Sequence, residues 1–566
     1  MAMKQFTNPV PYVDGSQHTN PDPFVINFAG TYFCYSTGID GVNLSVSKDL
    51  VTWEHKGFCY REDGRDSYWA PCVVYRNGVF YMYVSNRPAG ETDPHFQRMR
   101  VATSETPEGP FTFRSQMLDE FAIDADVVTG NDGETVMFYA SNELTSQCSD
   151  LIGTSVVVDV MPTPFTLRGK PVPVIVPSIK EEMFEANRFG DGRDWYTIEG
   201  STYFTDGEFA YQTYSGNAYE NPDYFIGVTR AKVKPAIAQM EWTKQPSDDV
   251  YMPLIRQSDL VEGTGHNSIV RGPNLLDRWI CYHGRDRKTL RDFSVEQRQF
   301  YLDRIFIAGD EVLCYAPTSQ AQDAPNMATM SGVGCQAENK KPLAEFVGDF
   351  IAELYLKSEV GQAAGECPEV GFSLSANDAW MRFAVRDTEV ECSTSDGEVQ
   401  NFPVPVDMDL SVWQPFRILR SQGRVALLVG EVELLSMPDC MTGQSCDFRI
   451  SDGATRLSYW RLTQLFEASR AELDSNGYLR PAESSLTGGG VRELSLPLEG
   501  EWQVELYFNG KAPDFIQRDG EEFDVRVVNG RERSVITFTV NFSSFATSRI
   551  RGDLSGIARC LATKIS

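Results

Sequence analysis

The chain has 566 residues, more than one hydrophobic core organises, so two or three domains are expected. Its 42% hydrophobic and 12% aromatic residues are those of a folded globular protein and exclude a disordered one. A formal charge of −28, from 51 Lys and Arg against 79 Asp and Glu, with a pI near 4.6, repels nucleic acid and anionic membrane surfaces and points to a neutral partner such as a sugar.

No run of apolar residues is long enough for a membrane-spanning helix. Met1-Ala2-Met3-Lys4-Gln5-Phe6 passes into Asn8-Pro9-Val10-Pro11 without an apolar h-region, which predicts a cytoplasmic protein. Many of the 12 cysteines lie in apolar runs, such as Cys34 in Tyr32-Phe33-Cys34-Tyr35, and read as small buried hydrophobes. With no CxxC pair and five histidines, a structural zinc site is not expected.

From residue 24 onward one pattern recurs five times: an apolar strand, a turn with Gly or Asp, an aromatic strand, then a strand closing on a Trp or Phe phrase. Successive units contain Phe24 to Phe33 with Thr52-Trp53-Glu54, Val73 to Tyr83 with Pro110-Phe111, Asp126 to Ala140 with Pro164-Phe165, Ser201 to Tyr211 with Glu241-Trp242, and Ser268 to Ile305. Repeats of roughly 50 to 70 residues made of short alternating strands predict a β-propeller, here five-bladed, in which innermost strands line a central channel. An irregular β-sandwich has no reason to repeat the aromatic phrase at one place in every unit.

The predicted domains are a propeller over 1–318, a linker over 319–341 and a concanavalin-like β-sandwich over 342–566. Gln422-Gly423 marks a hairpin in the last region, and Gly488-Gly489-Gly490 is a point at which it could split into two smaller modules. This region is expected to complete the substrate pocket or bind a longer glycan.

Three acidic residues stand at corresponding places in the repeat: Asp22 in Pro21-Asp22-Pro23-Phe24, Asp124 in Ile123-Asp124-Ala125-Asp126, and Glu199 in Ile198-Glu199-Gly200. A carboxylate with apolar neighbours at the edge of a buried strand is neutralised, hydrogen-bonded or used. Any one alone reads equally as a turn or cap residue; recurrence in phase argues for a shared site.

Pro21-Asp22-Pro23, Tyr68-Trp69-Ala70-Pro71, Ile123-Asp124, Ile198-Glu199-Gly200 and Gly263-Thr264-Gly265-His266-Asn267-Ser268 together resemble the ordered motif set of glycoside hydrolase family 43, from about residue 7 to 316. The resemblance implies an inverting exo-glycosidase that releases a terminal pentose, α-L-arabinofuranose first and β-D-xylose next. Asp22 would be the general base, Glu199 the general acid and Asp124 the carboxylate that raises and orients the acid, with roughly 6.5 to 9.5 Å between base and acid carboxyls to admit a water. Trp69 would form an apolar wall against the sugar and Arg298 would grip its hydroxyls. His266 would lie beneath the site, touching a water on a central calcium or other cation; no metal ligand is assigned and no cofactor is required. Asp126 competes with Asp124, since residues two apart on a strand point the same way. His283 and Arg285 receive no role.

Ser201-Thr202 stands after Glu199-Gly200 where many relatives carry proline, and Asn86 to Met99 and Asn217 to Tyr224 are rim loops expected to shape specificity. The Asn-Asp-Pro-Asn phrase of the retaining fructan-cleaving propellers does not occur. The rival classes are a carbohydrate-binding propeller without catalysis and a protein-interaction propeller.

Overall fold

The computed structural model describes residues 4–16, 19–142, 144, 151–287, 297–335, 342–359, 368–441, 445–450, 455–481, 492–514, 516–518, 521–522, 525–542 and 549–565. The chain is all-β, and one short α-helix, Arg470–Ser475, occurs among the described residues. By compactness it divides into two units: 1–273, 277–305 and 314–325 form the first, and 274–276, 306–313 and 326–566 the second.

After a short β1 (Gln5–Phe6), five four-stranded antiparallel arrays follow one another. They comprise β2 (Phe24–Phe28), β3 (Thr31–Ser36), β4 (Val42–Ser47) and β5 (Trp53–Tyr60); then β6 (Arg65–Arg76), β7 (Val79–Pro88), β8 (Arg98–Ser104) and β9 (Thr112–Gln116). The third holds β10 (Ile123–Thr129), β11 (Thr135–Ser141), β12 (Gly153–Val160) and β13 (Val172–Ile175). A three-residue β14 (Met183–Glu185) then borders the fourth, made of β15 (Trp195–Asp206), β16 (Phe209–Gly216), β17 (Phe225–Lys232) and β18 (Thr243–Lys244). The last is β19 (Val261–Arg271), β20 (Arg278–Asp286), β21 (Gln299–Ala308) and β22 (Glu311–Cys314).

The first strands contact one another in a ring, β2 to β6, β6 to β10, β10 to β15, β15 to β19 and β19 back to β2, which is the arrangement of a β-propeller. Turn chemistry sets the hairpins: Asn77-Gly78, with φ of 47° and 83°, joins β6 to β7 as a turn whose twist matches its strands. The third and fourth arrays are joined where β12 pairs in parallel with β15, Gly153 opposite Tyr196. A Cβ on Gly153 would stand 1.7 Å from the Tyr196 carbonyl oxygen, so only glycine permits that join.

Closure of the ring uses the N-terminal segment. Val10 N–H donates to Phe300 O at 2.9 Å, and Asn8 both donates through Nδ2 to Leu302 O and accepts Leu302 N–H, each at 2.9 Å. Beneath these bonds Val10, Tyr12, Trp53, Trp279 and Phe300 share one apolar cluster.

The residues expected to be a linker are not plain linker. β23 (Gln322–Asp323) pairs with β1 in the first unit, and β24 (Met330–Cys335) pairs with strand Thr455–Ser469 in the second. The predicted edge at 318 likewise differs from the unit division, because 306–313 group with the second unit.

In the second unit one ten-stranded sheet contributes to two cores. With a six-stranded sheet it encloses Leu354, Phe372, Phe383, Phe416, Ile418 and Phe448; with a five-stranded sheet it encloses Leu494, Val504, Leu506, Phe538 and Ile550. Sandwich and two-module readings thus merge: two sheet-on-sheet cores share one sheet. The hairpin at Gln422-Gly423 forms, with Ser421 opposite Arg424. Gly488-Gly489-Gly490 lies outside the described residues.

Phe383 is fully buried, its ring 5.0 Å from that of Phe372. Phe383→Ala is expected to destabilise the second unit by about 3 to 5 kcal/mol, read as a lower urea midpoint with an unchanged slope.

Candidate active site

Left-handed backbone stands at the inner end of each first strand, just ahead of β2 and within the other four. Asp22, Ala70, Asp124, Gly200 and His266 have φ of 55°, 45°, 59°, 58° and 41°, so left-handed backbone recurs at this place in every array, joined by Ser67 in β6 and Gly263 in β19. In β6, β10, β15 and β19 the register shifts there, between Trp69 and Cys72, Ile123 and Asp126, Glu199 and Thr202, and Gly265 and Ser268. Such bulges bend a strand and re-aim its side chains, and left-handed backbone at non-glycine positions concentrates at functional sites. Asp22, Ala70, Asp124 and His266 accordingly converge on one cavity of about 10 Å³, together with Ser201 and Asn267. That is room for one water.

Above it opens a pocket of about 690 Å³. All six residues singled out in the sequence line it: Asp22, Trp69, Asp124, Glu199, His266 and Arg298. Both rim loops contribute, one through Arg87, Thr92 and His95 and the other through Tyr219, Glu220 and Tyr224. The described lining residues all belong to the first unit.

Asp22 is held on every side. Thr37 Oγ1 donates to its Oδ2 at 2.5 Å, and Arg298 Nη1 donates to its Oδ1 at 3.1 Å. His283 Nδ1 accepts the Asp22 backbone N–H at 3.2 Å, and His266 Nδ1 stands 3.4 Å from Oδ1. Burial is the largest influence on Asp22 and opposes ionisation, but the Arg298 guanidinium, joined by His266 and His283, holds it well below the usual carboxylate range. Burial drives the two imidazoles toward the neutral form, His283 to about 3, so Arg298 is the charge that matters.

The other two carboxyls move the opposite way. Asp124 is pushed well above its ordinary value by burial, then by Glu199 and Asp22, although its Oδ2 accepts Gly200 N–H at 3.1 Å. Glu199, partly open to the pocket, is raised to about 7, chiefly by burial, against a bond from Tyr224 Oη to its Oε1 at 2.7 Å. One carboxyl held ionised near neutrality therefore faces two that are pushed toward the protonated form.

The model of the glycosyl hydrolases family 43 matches residues 6–313, more than half of the chain. The chain belongs to that family. Among curated proteins it is 32% identical over 114 residues to a probable arabinan endo-1,5-α-L-arabinosidase C of Aspergillus clavatus, 19% of this chain and 34% of that one. It is 35% identical over 98 residues to the arabinan endo-1,5-α-L-arabinosidase A of Aspergillus niger, 16% of this chain and 30% of that one. The chain thus spans about a third of the length of the curated relatives it matches. Among solved structures, a thermostable family-43 glycoside hydrolase is 26% identical, covering 56% of this chain and 99% of that one with a TM-score of 0.47. An α-L-arabinofuranosidase from Lactobacillus brevis is 19% identical, covering 54% and 94% with a TM-score of 0.44.

Within the family-43 region, the motif glycines have concrete tasks. Gly200 combines φ +58° with a ring beside it, since a Cβ there would meet His266 Nδ1 at 3.0 Å. At Gly265 a Cβ would fall 1.8 Å from Tyr224 Cε1, and at Gly263 one would fall 2.4 Å from Arg285 Nη2. Each absent side chain admits a residue of the site or of its support.

Asp126 does not share the pocket with Asp124. The left-handed residue at Asp124 breaks the alternation that would have aimed the two together, and Asp126 Oδ2 instead accepts Tyr203 N–H at 2.7 Å. Sequence reasoning also left out Thr37 and Tyr224, and gave no role to His283 or Arg285. His283 supports the Asp22 backbone, while Arg285 donates to the carbonyls of Glu220 and Asn221 at 3.1 and 3.2 Å, clamping the second rim loop. His283-Gly284-Arg285 was a visible phrase; what it reaches depends on contacts across arrays.

Among the described residues no group of three or more His, Cys, Asp or Glu side chains is arranged to hold a metal ion, and no step below passes through one.

Asp126→Asn keeps an acceptor for Tyr203, so activity is expected within about threefold of wild type, whereas Asp124→Asn should lower kcat by about a hundredfold or more. Steady-state kinetics of the two purified variants distinguishes these positions.

Proposed function

We propose that the protein is an inverting, exo-acting glycoside hydrolase that releases a terminal pentose, foremost α-L-arabinofuranose, from a neutral oligosaccharide. The observation that carries this reading is the opposed protonation of Asp22 and Glu199 in one pocket. The arabinan-cleaving relatives from Aspergillus support arabinose over xylose as the first sugar to try.

In this mechanism Asp22, ionised by Arg298, takes a proton from water as its oxygen attacks the anomeric carbon. Glu199 delivers its proton to the glycosidic oxygen as the carbon–oxygen bond breaks, and the new hydroxyl enters on the opposite face. Asp124, protonated and hydrogen-bonded to Gly200 N–H, lies beside Glu199 without adding charge, and the ionised Asp22 supplies the negative field that favours the protonated acid. Trp69 offers a flat apolar wall, and the acidic surface does not obstruct a neutral substrate.

The acid must be protonated and the base ionised. As pH rises through the Glu199 value of about 7 the working form is lost, so kcat/KM should fall on the alkaline side there. The acid limb should lie well below the ordinary carboxylate range, where Asp22 finally takes up a proton.

Asp22→Ala and Glu199→Gln are each expected to lower kcat on arabino-oligosaccharides by about a hundredfold or more. Proton NMR of the wild-type reaction should show free arabinose appearing first as the anomer opposite to that of the substrate. Retention of configuration, release of oligosaccharides alone, or near-full turnover by Asp22→Ala would each overturn the reading.

A further inference from the structure

Glu199 is held by a chain of hydrogen bonds that begins at a fixed donor. It starts at the backbone N–H of His266, which can only donate and does so to Ser215 Oγ at 2.8 Å. The Ser215 hydroxyl, with one lone pair so engaged, turns its proton to Tyr224 Oη. Tyr224 then directs its single proton to Glu199 Oε1 at 2.7 Å. Ser215 and Tyr224 are both buried, so water does not compete for these groups.

Tyr224 is also fixed as a body. Its ring lies parallel to His283, centroids 5.8 Å apart and planes within 9°, and covers the face of Gly265 where a Cβ would collide with it. Burial and the neighbouring Glu199 raise its phenol well above its ordinary value, so it remains a donor across the working range.

A carboxyl oxygen that permanently accepts a hydrogen bond is the poorer place for the carboxyl's own proton. We propose that Tyr224, oriented by Ser215 and the His266 backbone, is a positioning residue that keeps the acid proton of Glu199 on Oε2, the oxygen left for the substrate. This rests on the assignment of Glu199 as general acid. Without the chain the proton would divide between two oxygens and the carboxyl would turn about its terminal torsion, which is broad.

Leaving groups provide the test. A nitrophenolate departs with little help from an acid, whereas the alkoxide of a sugar needs the proton. Tyr224→Phe preserves the ring over Gly265 and against His283 and removes only the hydroxyl. It is expected to lower kcat on an arabinobiose by about tenfold or more while changing kcat on 4-nitrophenyl arabinofuranoside by about twofold or less. Ser215→Ala should show the same selectivity to a smaller degree.

The pH profile supplies a readout that mere loss of packing would not move. Glu199 is faced by Asp124, Asp22, Glu220 and Arg298 as well as by Tyr224. Of these contacts the Tyr224 bond stabilises the ionised form, so its removal should carry the alkaline limb of kcat/KM to higher pH. Equal losses on both substrates, no loss on either, or an alkaline limb that stays in place would overturn the proposal. Glu199→Gln serves as reference: if it shows the leaving-group selectivity and Tyr224→Phe does not, only the positioning role fails. If Glu199→Gln lacks that selectivity, the acid assignment fails and the proposal with it.

Discussion

The site depends on a backbone constraint that recurs in every array: left-handed backbone at the inner end of the first strand. A regular strand sends alternate side chains to opposite faces and none along its own direction. The bulge relaxes this rule where Asp22, Asp124 and His266 must point to the axis and the residue before Gly200, Glu199, must rise into the pocket. Aspartate tolerates such backbone and glycine adopts it freely, which accounts for several of the residue types found there. Ala70 follows the same backbone with a small inert side chain, and its neighbour Trp69 lines the pocket.

Electrostatics then differentiates carboxyls that the repeat makes equivalent. Asp22 and Asp124 share the left-handed position, yet one lies against a guanidinium and the other against carboxyls. Burial magnifies both effects, because the same low-dielectric surroundings that strengthen the ion pair raise the cost of a second negative charge. The Arg298 side chain is therefore as much a determinant of the charge at this position as Asp22 itself. Its ring contact with Tyr219, 4.3 Å from guanidinium carbon to centroid, links that charge to the rim loop clamped by Arg285.

The motif residues reached the pocket together, and the strands repeat in the all-β pattern read from the aromatic phrases. Both were legible because strand period, turn residues and inner-strand phrases are local. Less legible was whatever hung on a neighbouring array. Asp126 looked interchangeable with Asp124 because alternation was assumed through a bulge, and the stretch around 319–341 looked like linker because its two short strands find their partners at Gln5–Phe6 and Thr455–Ser469, far away in the chain.

The sequence by itself determined the all-β class, the propeller repeat, the order of its motifs and the acidic residues eligible for chemistry, since each follows from composition or short-range spacing. Tertiary structure alone decided which carboxyl is placed beside a guanidinium, which aspartate faces the pocket, and that Tyr224, His283 and Thr37 hold Glu199 and Asp22. Those outcomes turn on distances between residues tens to hundreds of positions apart, brought together only when the first strands close into a ring.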